Sequence, residues 1–262
     1  MRPSNAVRTV WDAEAIDTSH LGFRPIQKIA TIHASSGLIR GIPNKVIVWR
    51  SGGIKIPSAM KLYNHAMAPN PRRVRIFAAE KGIELALQDL DILAGQSRTP
   101  EFLAKNPSGG VPVLEFDDGS CLAESVAICR YLEGLHPEPN LFGHDLREQA
   151  QIEMWNRRME LELFAAIGRT VQNTSPIFQG RFKQFPDYGE AQRAVVHQRL
   201  ERMDRELNGR EFVAGDRFTI ADITALVAID IGGRLADIKV APELSNLSRW
   251  HKAVSSRPSA KA

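Results

Sequence analysis

The sequence predicts an α/β domain on a mixed four-stranded sheet, followed by an all-helical domain. Three observations carry the prediction. From Lys61 onward, short strand-like and helix-like runs alternate in the order β-α-β-α-β-β-α. A proline-rich stretch, His136-Pro-Glu-Pro-Asn140, then interrupts the alternation. Beyond it no strand pattern recurs, and the remaining apolar periodicity is helical.

The first run, Lys61-Leu-Tyr-Asn-His65, is strand-like and leads through Ala66-Met-Ala-Pro69 to Asn70-Pro71. Asn before Pro is a helix-start signal: the amide caps the first turn, and proline fits the first helical position. A helix is therefore expected over 72–81, stopped at Gly82. A second strand is expected at about 85–91 and a short helix at 100–105. Val111-Pro-Val-Leu-Glu-Phe116, the turn Asp117-Asp-Gly119 and residues 120–123 read as a β-hairpin. An amphipathic helix follows over 125–135. The helical crossover makes the first two strands parallel, and the last two are antiparallel. This is the thioredoxin-like order, and it defines a domain at 60–138.

The second domain, 145–262, opens on a long helical stretch at 145–169. Residues 172–188, rich in Phe, Gln, Pro and Gly, read as an irregular connection, and 190–207 as a helix. Thr219-Ile-Ala-Asp222 has capping-box spacing, with Asp in place of Glu or Gln, and opens an apolar helix at 220–231. A last helix is expected at about 244–254.

Composition narrows the function. The chain has 262 residues, 43% of them apolar and 24% charged, as expected of a globular protein. No apolar run approaches the roughly 18 residues that a spanning helix needs, so no membrane partner is expected. The N-terminus lacks a secretory pattern, and two cysteines, Cys121 and Cys129, suit a reducing, cytoplasmic setting. The formal charge is +4, but residues 1–59 hold eight Lys/Arg against three Asp/Glu, and the rest hold 26 against 27. A near-neutral body excludes nucleic acid as the expected partner. Residues 1–59 show no sustained period. They read as an extension without a fold, either a flexible arm or sequence upstream of a start at Met60.

Four patterns, in order and at matching spacing, resemble the soluble glutathione transferase family over about 60–260. They are Lys61-Leu-Tyr with Ala68-Pro-Asn-Pro-Arg-Arg-Val-Arg75; Asn106-Pro with Val111-Pro-Val-Leu114; Leu122-Ala-Glu-Ser125 with Ala127-Ile128 and Tyr131-Leu132; and Phe212-Val-Ala-Gly-Asp216 with Thr219-Ile-Ala-Asp222. The resemblance implies glutathione as a substrate, with no other cofactor and no metal, and a homodimer. It implies attack of the glutathione thiol on an apolar electrophilic small molecule. Two alternatives stay open: glutathione-dependent disulfide reduction, and a non-catalytic glutathione-binding or regulatory protein.

Glutathione is an anionic tripeptide with an ammonium at one end. Glu124 and Ser125 fall where a strand becomes a helix, so free N–H groups and a hydroxyl favour a carboxylate there, with Glu124 for the ammonium. On local sequence alone the pair fits better a capping serine beside a solvated carboxylate, and only the resemblance reverses that. Val111-Pro112 resembles the family's cis-proline turn, which offers the Val111 N–H and C=O to the cysteinyl residue like an added strand. Many relatives place Ser, Cys or Tyr at the sulfur. Here that position falls at Ala68, with Tyr63 earlier in the strand. Asn70 instead resembles the sulfur-contacting Asn of nu-class and related fungal transferases. Gly110 also departs from the common Lys or Gln, and Gln96 and Ser97 give no firm contact for the glycyl end.

Other residues read more simply. His65 is a strand-end residue. Cys121 and Cys129 are packed thiols without Cys-x-x-Cys spacing. Trp155, Phe164, Phe178 and Phe182 fit an acceptor pocket or helix packing. Arg157 and Arg158 fit a solvated or dimer-facing surface.

Overall fold

The computed structural model describes residues 60–262, so the expectation for 1–59 lies outside the described residues. The first half comprises β1 (Lys61–Asn64), α1 (Pro69–Glu80), β2 (Ala86–Asp89), α2 (Pro100–Lys105), β3 (Val113–Glu115), β4 (Cys121–Ala123) and α3 (Ser125–Leu135). The sheet order is β2-β1-β3-β4, with β1 parallel to β2 and the other two pairs antiparallel. The thioredoxin-like arrangement read from the sequence is present.

Side chains alternate across the sheet, so β1, β3 and β4 each feed two clusters. Leu62 and Leu114 face Val74, Phe77, Ile128 and Leu132 of α1 and α3. Tyr63 and Val113 face Phe102 of α2 on the other side. Lys81, with its side chain fully buried, holds the exit from this domain. Its ammonium donates to the carbonyls of His136 at 2.8 Å, Pro137 at 3.2 Å and Pro139 at 2.6 Å, and pairs with Glu133.

The helical half comprises α4 (Leu146–Arg158), a π-helical turn over Met159–Phe164, α5 (Ala165–Thr174), α6 (Pro186–Glu206), α7 (Ile220–Ala236) and α8 (Ser245–Ser255). Backbone at both ends of the π turn is helical, so α4, the turn and α5 form one rod, longer than the expected 145–169. α7 is apolar nearly all round and is buried accordingly. Its capping box is formed, and the Asp222 side chain is fully buried. Asp222 accepts from Thr219 N at 2.9 Å, Thr219 Oγ1 at 3.2 Å, Val213 N at 2.8 Å and Trp250 Nε1 at 2.8 Å. One carboxylate thus joins α7, α8 and the loop before α7. Burial pushes its pKa up to about 6 against the pull of those hydrogen bonds.

Other boundaries also differ from expectation: α6 begins at Pro186 rather than at 190, which shortens the irregular connection expected over 172–188. α1 begins at Pro69, with Ala68 as its extended cap and no side-chain capping bond. Two prolines stand two residues apart, and the first takes the helix-opening position, so Asn70 lies inside the first turn and is not the cap. β2 covers only four exposed residues, as an edge strand. α7 runs beyond Ile231 because Gly232 acts as a packing residue: a Cβ there would stand 3.2 Å from Ile167.

Replacing Asp222 with Ala leaves two backbone N–H groups and the Trp250 indole N–H buried without acceptors. At about 1–3 kcal/mol for each orphaned group, a loss of at least about 3 kcal/mol is expected. Calorimetry should show the melting temperature falling by roughly 6–12 °C; an unchanged transition would contradict this role.

Candidate functional site

Strand register places the site. Tyr63 pairs with Val113, and Val113 with Ala123. Because β3 runs against β1 and β4 against β3, the end of β1, the start of β3 and the end of β4 share one end of the sheet. The segments leaving that end carry Ala68 and Asn70, Val111 and Pro112, and Glu124 and Ser125. α1 and α3 both begin there, so two helix N-termini point to one place.

The β1–α1 loop is fixed from several sides. Ala68 N donates to His65 O at 3.0 Å, and Arg75 Nη2 to Ala66 O at 3.1 Å. Arg234, at the end of α7, donates to Met67 O. The His65 ring is engaged as well, with Nδ1 2.9 Å from Leu90 O. Asn70 is half-buried, and its side chain makes no hydrogen bond among the described residues. Released from capping, its amide keeps both donors. Tyr63 is turned into the sheet, where its hydroxyl donates to Glu115 Oε2 at 2.7 Å.

The Val111–Pro112 peptide bond is cis. Val111 lies just before β3, and its N–H and C=O join no backbone hydrogen bond among the described residues. The approach to it is held by Asn106, whose Nδ2 donates to Gly110 O at 2.8 Å. Gly109 has φ +64°, and a Cβ there would stand 2.9 Å from Ser97 O. No larger residue fits that turn.

Glu124 has φ 70° and ψ 113°, outside the regions that L-residues favour. Such backbone costs about 1–3 kcal/mol and persists where the surroundings impose it. Its carboxylate is exposed and makes no hydrogen bond among the described residues. Ser125 is the first residue of α3 and is buried. Its Oγ accepts a 2.8 Å bond from Arg73 Nη1, which leaves the hydroxyl proton available to a further acceptor.

Arg73 was missed by the sequence reading. It sits on the buried face of α1 with Ile76 and Phe77, and a cation at that spacing is itself a signal, because a buried charge needs partners. It also donates to Glu160 Oε1 at 3.2 Å and lies 5.3 Å from the Phe164 ring centroid. Its Nε and Nη2 are buried without partners. Burial pulls this guanidinium below its ordinary range, and Glu160 opposes that. Phe164 therefore belongs to this packing. Trp155 is buried, and the guanidiniums of Arg158 and Arg210 lie 4.8 and 5.0 Å from its ring centroid, so Arg158 packs on an aromatic ring, while Arg157 is exposed and pairs with Glu160. Phe178 and Phe182 stack on each other at 5.5 Å, with Phe182 exposed.

Cys129 is fully buried, and burial drives its thiol pKa far up; burial raises Cys121 too. Both fit packed thiols rather than nucleophiles. Among the described residues no cluster of three or more His, Cys, Asp or Glu is arranged to hold a metal ion, and no helix is long and apolar enough to cross a membrane.

Comparison with known proteins agrees with this architecture. Residues 58–134 match the family model for the glutathione S-transferase N-terminal domain, and residues 170–258 match that for the C-terminal domain. The chain is 36% identical over 215 residues to glutathione S-transferase 2 of Saccharomyces cerevisiae, covering 80% of this chain and 92% of the yeast protein. The crystal structure of Gtt2 from Saccharomyces cerevisiae superposes with a TM-score of 0.72 at 36% identity, covering 77% of this chain and 98% of that one. A glutathione S-transferase domain-containing protein from Marinobacter aquaeolei gives 0.72 at 38% identity, covering 76% and 98%. With both domain models matched in order and a curated relative covered over nearly its whole length, the chain belongs to the glutathione S-transferase family.

Proposed function

We propose that this glutathione S-transferase activates the thiol of glutathione for attack on an apolar electrophilic small molecule. One observation carries the reading. A free backbone edge at Val111, a hydroxyl anchored by Arg73, an unpaired carboxylate at Glu124, two helix N-termini and the unused amide of Asn70 meet at one end of the sheet.

Each group has a task in this reading. Val111 pairs with the cysteinyl peptide as an added strand, presented by Pro112. Ser125 and the α3 N-terminus take the γ-glutamyl carboxylate, and Glu124 takes the ammonium. Asn70 donates its amide N–H to the sulfur and stabilises the thiolate. The thiol proton leaves to solvent, the sulfur lone pair forms a bond to the electrophilic carbon, and a leaving group such as chloride departs with the bonding pair. Glutathione is consumed as a substrate, without a separate cofactor. Ala68 brings no hydroxyl or thiol to the sulfur, which favours a non-catalytic glutathione-binding or regulatory protein as the second reading; glutathione-dependent disulfide reduction stands beside it as a third. Turnover of a chlorinated aromatic acceptor supports the first reading, turnover of a model disulfide supports the second, and neither with intact glutathione binding leaves a binding protein.

Asn70 is testable without disturbing a cap. One hydrogen bond to a charged sulfur contributes about 1.5–3 kcal/mol, or roughly one to two pKa units of the thiol. Asn70→Ala should keep its melting temperature and raise the pKa of bound glutathione by that amount, read by thiolate absorbance. Asn70→Asp, which adds a negative charge, should raise it further. An unmoved titration in both variants would remove Asn70 from the mechanism.

The proposed setting is cytoplasmic, in keeping with two free thiols, and the proposed role is detoxification. The proposed assembly is a homodimer, with the β3–β4 hairpin and α3 of one copy against the helical domain of the other. Light scattering at micromolar concentration should return twice the chain mass; a monomer would contradict the assembly.

A further inference from the structure

We propose that Arg234, at the end of α7, is a positioning residue that holds the β1–α1 turn so that Asn70 meets the glutathione sulfur, a role that rests on the proposed function of Asn70.

The start of α1 lies beside the end of α7. Arg72, in the first turn of α1, donates to Asp230 on α7 at 2.7 Å. Arg234 stands one helical turn further along, a rise of about 6 Å. Its Nη2 donates to the backbone carbonyl of Met67, and its Nη1 lies 3.5 Å from the Met67 sulfur. Arg234 is exposed and forms no ion pair among the described residues. An exposed arginine ordinarily spends its donors on water, whereas this one turns both prongs of its planar fork on a single residue. The charges that act on it are Arg72 and Asp230. Asp230 is itself braced, 3.0 Å from His251 Nε2 on α8, and Arg72 Nη2 also donates to Ala260 O at 3.0 Å. The platform beneath Arg234 is therefore fixed independently of the turn that it grips.

Other bonds to the turn come from the strand and helix that it joins. Ala68 N donates to His65 O, and Arg75 of α1 to Ala66 O. Among the described residues, Arg234 is the one hydrogen-bond donor that reaches residues 65–68 from the helical half. Met67 is 55% exposed, so packing does little to fix it. Two consecutive carbonyls, of Ala66 and Met67, are each held by an arginine, which sets the peptide planes leading into Ala68. Pro69 in turn restricts Ala68 to extended backbone, at φ −81° and ψ 137°. Little freedom remains between the Met67 carbonyl and Asn70, so a shift at the first is passed to the second. A hydrogen bond from Asn70 to a sulfur is sensitive to such a shift, because these bonds weaken steeply as their angle departs from linear.

The pKa of bound glutathione, read by thiolate absorbance in the full chain, tests this role. Arg234→Met removes both donors and keeps a long side chain at an exposed position, so the melting temperature should stay within about 2 °C. The bound thiol pKa should rise by about half to one unit, a loss of thiolate at neutral pH of about three- to tenfold. The rise should persist in about 1 M salt, where the Debye length is about 3 Å and the field of an exposed charge is screened. Arg234→Lys, which keeps a donor, should recover most of it. In the Asn70→Ala background Arg234→Met should add nothing. A titration unmoved by Arg234→Met, a rise abolished by salt, or a rise that simply adds to that of Asn70→Ala would each overturn the role of Arg234 and leave that of Asn70 standing. A parent complex whose thiol titrates like free glutathione would remove the function of Asn70, and this role with it.

Discussion

The buried guanidinium of Arg73 is the constraint on which the candidate site depends. It stands on α1, grips Ser125 at the start of α3, and pairs with Glu160 on the π-helical turn of the second domain. Three elements distant in sequence thus meet on one side chain. Removing one partner of a buried charge pair costs about 3–5 kcal/mol, so these elements are strongly held in mutual register. Two of its N–H groups nevertheless remain buried and unpaired, a cost the fold carries beside its functional end.

Around that anchor, sheet topology does the remaining positioning. Antiparallel pairing of β3 with both neighbours turns the cis Val111–Pro112 peptide and the Glu124–Ser125 step toward the end of β1. Adjacent strands lie about 4.8 Å apart, so three loops and two helix N-termini fall within the reach of one tripeptide. Backbone strain at Glu124 belongs to the same arrangement, since the chain must turn abruptly from β4 into α3 while keeping Ser125 against Arg73.

Much of this was legible in the sequence because it rests on local chemistry. The strand order, Thr219 and Asp222 as a capping box, and the abrupt strand-to-helix step at Ser125 all follow from periodicity and turn residues. The start of α1 was misread because Pro69 and Pro71 are both competent to open a helix, and only packing selects the first. The run of α7 past Ile231 was hidden because Gly232 resembles a stop signal, whereas it is a point of close approach to Ile167. Arg73 was hidden for a different reason. Its partners lie 52 and 87 residues away, and nothing in the neighbouring sequence names them. Tertiary charge pairing leaves only the indirect mark of an arginine on an apolar helix face.

We propose that Arg73 acts on glutathione through Ser125. A double-mutant cycle on glutathione affinity, measured by calorimetry, tests it most directly. Arg73→Lys keeps a charge but loses the forked geometry, and Ser125→Ala removes the hydroxyl. Ser125→Ala should bind about tenfold more weakly in the parent chain, with little further loss in the Arg73→Lys background, a coupling of about 1 kcal/mol or more. Losses that simply add, in variants that remain folded, would contradict it.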